Sequence, residues 1–112
     1  MQKITAIIRV ERLAEVRAAL DAKGYPGLML TYIEGHGAQK GMTQQFRGRS
    51  YTIELLPKCK LEIVVRDDEV KKIVETIIES ARTGSVGDGK IFVSPVTSVY
   101  RIRTGEAGEQ AV

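Results

Sequence analysis

The sequence predicts an α+β fold in which one antiparallel sheet carries two helices on one face, and three observations predict it. Several short segments alternate apolar and polar residues with period two. Two longer segments place apolar residues at helical spacing. The resulting strand–helix–strand plan occurs twice within 112 residues.

The first strand is Lys3-Ile4-Thr5-Ala6-Ile7-Ile8-Arg9-Val10, with Ile4, Ala6, Ile8 and Val10 on one face. A helix follows, with Leu13, Val16 and Leu20 as its apolar stripe and Gly24 placed to stop it. Pro26 begins a second extended run through Leu28, Leu30 and Ile33, which ends at Gly35. In the second half Cys59, Leu61, Ile63 and Val65 alternate with Lys58, Lys60, Glu62 and Val64. Asp67 and Asp68 are expected to cap and charge the next helix, whose stripe is Val70, Ile73, Val74, Ile77, Ile78 and Ala81. Ile91-Phe92-Val93 then reads as a strand, and after Pro95 a last one is expected around Val99-Tyr100-Arg101-Ile102-Arg103. The tail after Thr104 offers no periodic apolar face.

The halves superimpose on their arginines. Ile7-Ile8-Arg9 matches Val64-Val65-Arg66, and Leu13, Val16 and Leu20 match Val70, Ile73 and Ile77 at the same spacing. Burying two such units in one sheet with both helices on one side gives the split βαβ, or ferredoxin-like, sandwich. Between the halves lies a stretch from Gly35 to about Leu55 with four glycines. Connections of that length are commonly functional, and Phe46, Tyr51 and Ile53 suggest a hairpin-like arm that docks onto something.

Composition narrows the class. Nothing approaches the roughly 20 apolar residues of a membrane span, and the first residues open a strand instead of a signal peptide. The lone Cys59 has no internal disulfide partner, which suits a reducing compartment, so a cytoplasmic protein is expected. The net charge of +3 comes from Lys and Arg scattered among acids, a pattern equally suited to phosphates on a small ligand.

Two features carry candidate chemistry. Thr83-Gly84-Ser85-Val86-Gly87-Asp88-Gly89-Lys90 joins a helix to a strand, and its glycines let backbone N–H groups turn toward an anion while Lys90 adds a charge. It lacks the order of a Walker A loop, and alone it also reads as an ordinary turn. Arg101 and Arg103, two apart on the expected strand, would project from one face and grip phosphate oxygens. Together these features favour a polyphosphate ligand. His36 has no second His or nearby Cys, Cys59 falls on the apolar side of its strand, and no nucleophile–base–acid set is present, so no catalytic residue is expected.

The assembled pattern resembles the PII family of nitrogen-regulatory signal-transduction proteins along nearly the whole chain. The resembling stretches are Ile4–Arg9, Gly35-His36-Gly37-Ala38-Gln39-Lys40-Gly41, Phe46–Tyr51, Leu56-Pro57-Lys58 and Leu61–Val65. To these are added Ala81–Val93 and Arg101-Ile102-Arg103-Thr104-Gly105-Glu106.

The resemblance implies a single ferredoxin-like domain over 1–112, assembled as a homotrimer with ATP or ADP in clefts between subunits. It implies a T-loop at about 36–55, a B-loop at about 82–90 and a C-loop at about 102–112. Nucleotide would be held by Ile7, Met29, Gly35, Gly37, Glu62, Val64, Arg82, Thr83, Gly87, Asp88, Gly89, Lys90, Arg101 and Arg103. Gln39 would coordinate Mg²⁺ together with ATP and 2-oxoglutarate, and Lys58 would pair with the 2-oxoglutarate carboxylate. Partners implied are an ammonium channel, a nucleotidyltransferase or an enzyme of nitrogen metabolism, with a membrane reached only through a partner. Tyr51 is the implied uridylylation site, with Ser50 as the alternative.

This chain departs from the family pattern at several positions. Met29 stands where Thr is usual and Ala38 where Arg is frequent, changes expected to weaken ATP or alter nucleotide choice. In the arm, Phe46-Arg47-Gly48-Arg49-Ser50-Tyr51 and Thr43-Gln44 depart from the common residues, and Val10-Glu11 replaces a usual Pro-Phe. These point to an alternative: a divergent PII-like adenine-nucleotide sensor with another second ligand and target. Other functions of the fold fit less well. RNA-recognition domains stack bases on aromatic residues of their central strands, and here the comparable segments offer only Phe92, so no nucleic-acid partner is expected. An acylphosphatase-like enzyme would need an asparagine, and the chain has none.

Overall fold

The computed structural model describes residues 1–25, 27–35, 43–46, 49–52 and 56–112, with side chains described outside 35–56. In chain order come β1 (Gln2–Arg9), α1 (Leu13–Ala22), β2 (Met29–Gly35), β3 (Thr43–Phe46), β4 (Arg49–Thr52), β5 (Leu56–Val65), α2 (Val70–Ala81) and β6 (Gly89–Pro95). Four strands form one antiparallel sheet in the order β2-β5-β1-β6, so the strand that opens each repeat lies at the centre. Both central strands lead to an arginine with extended backbone, Arg9 and Arg66, and each passes through one 3-10 turn into its helix. The duplication seen in the sequence is therefore a duplication in space.

Period-two alternation decides which side of the sheet is covered. Ile4, Ala6 and Ile8 of β1 and Cys59, Leu61, Ile63 and Val65 of β5 are buried against Val16 and Leu20 of α1 and Ile73, Ile77 and Ala81 of α2. The intervening residues share the opposite, open face. The register sets them in rows: Met29, Glu62, Thr5 and Phe92 form one, and Thr31, Lys60, Ile7 and Lys90 the next.

Helix ends follow local chemistry. Gly24 takes a left-handed φ of 85° and donates its N–H to the Asp21 carbonyl at 3.0 Å, closing α1. At the end of α2 the Arg12 guanidinium donates twice to the Ser80 carbonyl, at 3.1 and 2.7 Å, which ties the helices together. No helix among the described residues is long and apolar enough to cross a membrane. Within the connection between the halves, β3 and β4 pair as an antiparallel hairpin, from Thr43 opposite Thr52 to Phe46 opposite Arg49.

Three sequence expectations are corrected. Asp67 and Asp68 do not cap α2; Asp67 opens the preceding 3-10 turn and its carboxylate meets the Met1 amine at 2.8 Å. Val99–Arg103 is not a strand, since Tyr100 makes a single bridge to Ala107. The chain doubles back there: the Arg101 N–H donates to the Glu106 carbonyl at 2.8 Å and the Gly105 N–H to the Arg101 carbonyl at 2.7 Å. Gly105 and Gly108, with φ of 73° and 90°, permit the reversal, so Arg101 and Arg103 share no strand face. The tail after Thr104 is correspondingly folded onto this turn and ends in a 3-10 turn at Glu109–Ala111.

Burial ranks the helix positions. Ile73→Ala removes a wholly buried side chain and is expected to cost about 2–5 kcal/mol. Ile78→Ala, at a position 37% exposed, is expected to cost about 1 kcal/mol. Urea unfolding midpoints check the ranking.

Candidate functional site

The loop between α2 and β6 is organised around one carboxylate. Asp88 accepts the Thr83 and Gly84 N–H groups, each at 2.9 Å, and the Thr83 hydroxyl. It also accepts the Arg9 Nε–H at 3.0 Å. Arg9 reaches further along the same loop and donates from Nη2 to the Val86 carbonyl at 2.8 Å. Lys58 Nζ donates to the Gly87 carbonyl at 2.7 Å. Residues 86–88 are thus fastened to the end of β1 and the beginning of β5 by two cations, while Asp88 closes the loop on its own first residues.

Glycines make this path sterically possible. Gly84, Gly87 and Gly89 all have left-handed φ, of 91°, 100° and 105°. At Gly89 the backbone crosses β1 so closely that a Cβ would lie 1.7 Å from the Ile7 carbonyl oxygen. The loop therefore enters β6 at one angle, delivering exposed Lys90 to the open face in register with Ile7.

The electrostatics follow from these contacts. The Thr83 hydroxyl, then Arg9 and the two backbone donors, hold the Asp88 carboxyl well below the usual carboxylate range. Lys58 is only 9% exposed; burial first, then the neighbouring Arg9, pushes its pKa down, against the opposing pull of Glu11 and Asp88. Two cations packed beside a loop make a place where additional negative charge is favourable.

Of the residues singled out in the sequence, Ile7, Met29, Glu62, Val64 and Lys90 fall on the open sheet face. Glu62 there lies between Lys3 at 3.3 Å and Lys60 at 3.7 Å. Gly35 ends β2 opposite Leu56. Arg82 leaves α2 exposed, with its N–H on the Ile78 carbonyl at 3.0 Å. Arg82, Asp88, Gly89 and Lys90 also border a cleft of about 470 Å³ between α2 and β6, whose apolar lining includes Val74, Ile78 and Val93. Arg101 donates to the Glu106 carboxylate at 3.0 Å and the Gln110 carbonyl at 2.9 Å, and Arg103 is exposed. Ser50 and Tyr51 lie on β4 opposite Gln45 and Gln44. Gly37 and Gln39 lie outside the described residues.

Sequence reasoning missed Arg9 as a site residue. Its signal was an arginine ending an apolar strand, but the repeat supplies Arg66 at the same place, where among the described residues it pairs with nearby Asp68 and Glu69.

Comparison with known proteins accords with this arrangement. The family model described as Nitrogen regulatory protein P-II matches residues 1–106. The chain belongs to the PII family. Nitrogen regulatory protein P-II 2 of Methanothermobacter thermautotrophicus is 56% identical over 112 residues, spanning 100% of this chain and 97% of that protein. A P-II protein of Cereibacter sphaeroides is 52% identical over the full length of both. Among solved structures, Arabidopsis thaliana PII bound to citrate superimposes with a TM-score of 0.81 at 41% identity, covering 99% of this chain and 91% of that one. The ferredoxin-like α+β fold is thus the fold of this PII chain, and PII proteins are signal-transduction regulators of nitrogen metabolism, not enzymes.

Two predictions test the PII loop. Gly89→Ala meets both a left-handed φ and the Ile7 carbonyl, whereas Gly84→Ala meets only the φ penalty in open space. Urea unfolding should show about 1–2 kcal/mol lost at Gly84 and a larger loss at Gly89. The second concerns pH. Because the folded pKa of Asp88 is depressed, its carboxylate stabilises the fold above its unfolded value near 4, roughly. That contribution disappears as pH falls through the folded value. The stability gap between the parent protein and Asp88→Asn should be constant from about pH 6 to 8 and narrow below about 4.

Proposed function

We propose that this PII protein is a cytoplasmic homotrimer that senses ATP and ADP and, with ATP and Mg²⁺, 2-oxoglutarate. It passes the result to a nitrogen-metabolism partner through the arm at about 36–55. The observation that carries this reading is the Asp88-organised loop, which brings Gly89 and Lys90 beside Ile7 on the open sheet face.

The residues present suit such a ligand. Ile7, Val64 and Met29 offer an apolar bed for a purine, and the Glu62 carboxylate can accept hydrogen bonds from its amino group. Lys90 and Arg82, with Thr83 and the N–H groups of Gly87, Asp88 and Gly89, supply donors and charge for phosphates. Arg101 and Arg103 would add guanidinium contacts, Arg101 by exchanging the Glu106 carboxylate for a phosphate oxygen. Buried Lys58, beside Arg9, would gain from the carboxylate of 2-oxoglutarate, while Gln39 would join the phosphates on Mg²⁺. A subunit assembly would cover the open face, where Met29 and Phe92 are 54% and 56% exposed. The nucleotide state would then bias the arm, and an ammonium channel, a nucleotidyltransferase or a metabolic enzyme would read its shape. Covalent marking would fall on Tyr51 or Ser50.

A second reading keeps the nucleotide cleft and changes the other ligand. The Arabidopsis relative is bound to citrate, so a PII frame accepts a polycarboxylate. Met29, in register with Glu62, also alters the bed expected for adenine.

Isothermal titration with ATP–Mg²⁺, with and without 2-oxoglutarate, and separately with ADP, tests the proposal. The expected result is ATP binding, with 2-oxoglutarate bound only in its presence. Nucleotide binding without any 2-oxoglutarate response selects the second reading. Absence of adenine-nucleotide binding overturns both.

A further inference from the structure

Gly89 and Lys90 are placed by pairing with Ile8 and Ile7, whereas the loop of residues 83–88 that leads into them is fastened to the sheet by side chains outside it. Asp88 binds Thr83 and Gly84 and so joins the two ends of the loop, but those bonds leave the loop free to swing as a unit. Arg9 prevents this, because its guanidinium engages two acceptors two residues apart: Asp88 Oδ1 at 3.0 Å and the Val86 carbonyl at 2.8 Å. Its side chain is only 12% exposed and that of Asp88 24%, so the pair is shielded more than an ordinary surface ion pair. Lys58 also donates to the Gly87 carbonyl. A planar fork can serve both acceptors where a single ammonium cannot.

We propose that Arg9 is a positioning residue for anion binding by the backbone donors of the 83–88 loop beside Gly89 and Lys90, acting through Asp88 and the Val86 carbonyl. This rests on the reading that the loop and Lys90 take the phosphates of a nucleotide. Asp88, on this view, contributes to phosphate affinity by organising donors and by seating Arg9. Its carboxylate, already surrounded by donors, repels phosphate if exposed and helps it only while bonded.

The test combines ATP–Mg²⁺ titration with amide hydrogen exchange on the full chain, after thermal unfolding shows that each variant folds. Arg9→Gln and Asp88→Asn should each weaken ATP binding roughly ten-fold, since each disrupts the guanidinium–carboxylate contact that fastens the loop. The double variant should lose less than the sum of the two single losses, since both remove the shared Arg9–Asp88 contact. Arg9→Lys should recover part of the affinity, because lysine reaches Asp88 without also reaching Val86. Amides of residues 83–88 should exchange faster in Arg9→Gln while those of β5 are unchanged. Additive losses, unaltered ATP affinity in Arg9→Gln or unaltered exchange of the loop would overturn the role assigned to Arg9. Failure of the parent protein to bind ATP would sink the nucleotide reading instead; the exchange data would still decide whether Arg9 holds the loop.

Discussion

The contact between the Arg9 guanidinium and the Asp88 carboxylate joins residues 79 apart in sequence, and the site's geometry depends on it. Arg9 ends the central strand of the first repeat, and Asp88 precedes the last strand of the second. The contact becomes possible only when β1 and β6 lie side by side, and once made it defines how β6 begins. Gly89 can then pass directly over the Ile7 carbonyl because it lacks a Cβ. A core of aliphatic side chains supplies the rigid floor, but alone it would leave the α2–β6 connection many paths. The charged tie selects one of them.

The same contact breaks the symmetry of the duplication. Arg9 and Arg66 occupy equivalent places, each preceding a 3-10 turn that leads into a helix. Among the described residues Arg66 meets Asp68 at 4.0 Å and Glu69 at 3.8 Å, pairs near the surface of small energetic value. The difference lies in the loops that the two arginines could address. The connection after α2 carries Asp88 and several glycines, whereas Lys23-Gly24-Tyr25-Pro26-Gly27 after α1 has no acid. Two copies of one scaffold thus diverge in a single connection, and the candidate site forms where the α2–β6 loop of the second copy meets Arg9 and Ile7 of the first.

Much of this was legible in the sequence because periodicity reports faces directly. Alternation through Ile4–Ile8 and Cys59–Val65 identified the buried positions, and by subtraction it placed Ile7, Glu62 and Val64 together on the other face. The helical stripes worked for the same reason, with Ile78 the exception, since α2 turns it partly toward solvent. The Val99–Arg103 segment failed because Val99, Tyr100 and Ile102, β-branched or aromatic, imitate a strand, while Gly105 and Gly108 beyond them impose a reversal. There the backbone hydrogen bonds run to Gly105, Glu106 and Gly108, and no sheet edge is used. Arg9 failed for a different reason: its partner is set by tertiary contact, which no local pattern encodes.

These features together explain how a small α+β domain can serve regulation. Its stable part is the pair of central strands, β1 and β5, whose apolar faces are closed by both helices. The connections proposed to carry the signal hang from their ends. The α2–β6 loop is tied to Arg9 and Lys58, and the hairpin of β3 and β4 lies in the connection that runs from β2 into β5. Because Lys58 belongs to β5, two residues beyond the strand's first residue, one side chain links the strand that follows the arm to the loop proposed to hold phosphates. An anion that redistributes the bonds of Lys58 and Arg9 acts on both at once. Such a change needs no rearrangement of the core, only an exchange of partners among a few charged groups at its edge. The energy of such an exchange, about 1.5–3 kcal/mol per bond to a charged group, lies within the range of ordinary allosteric coupling.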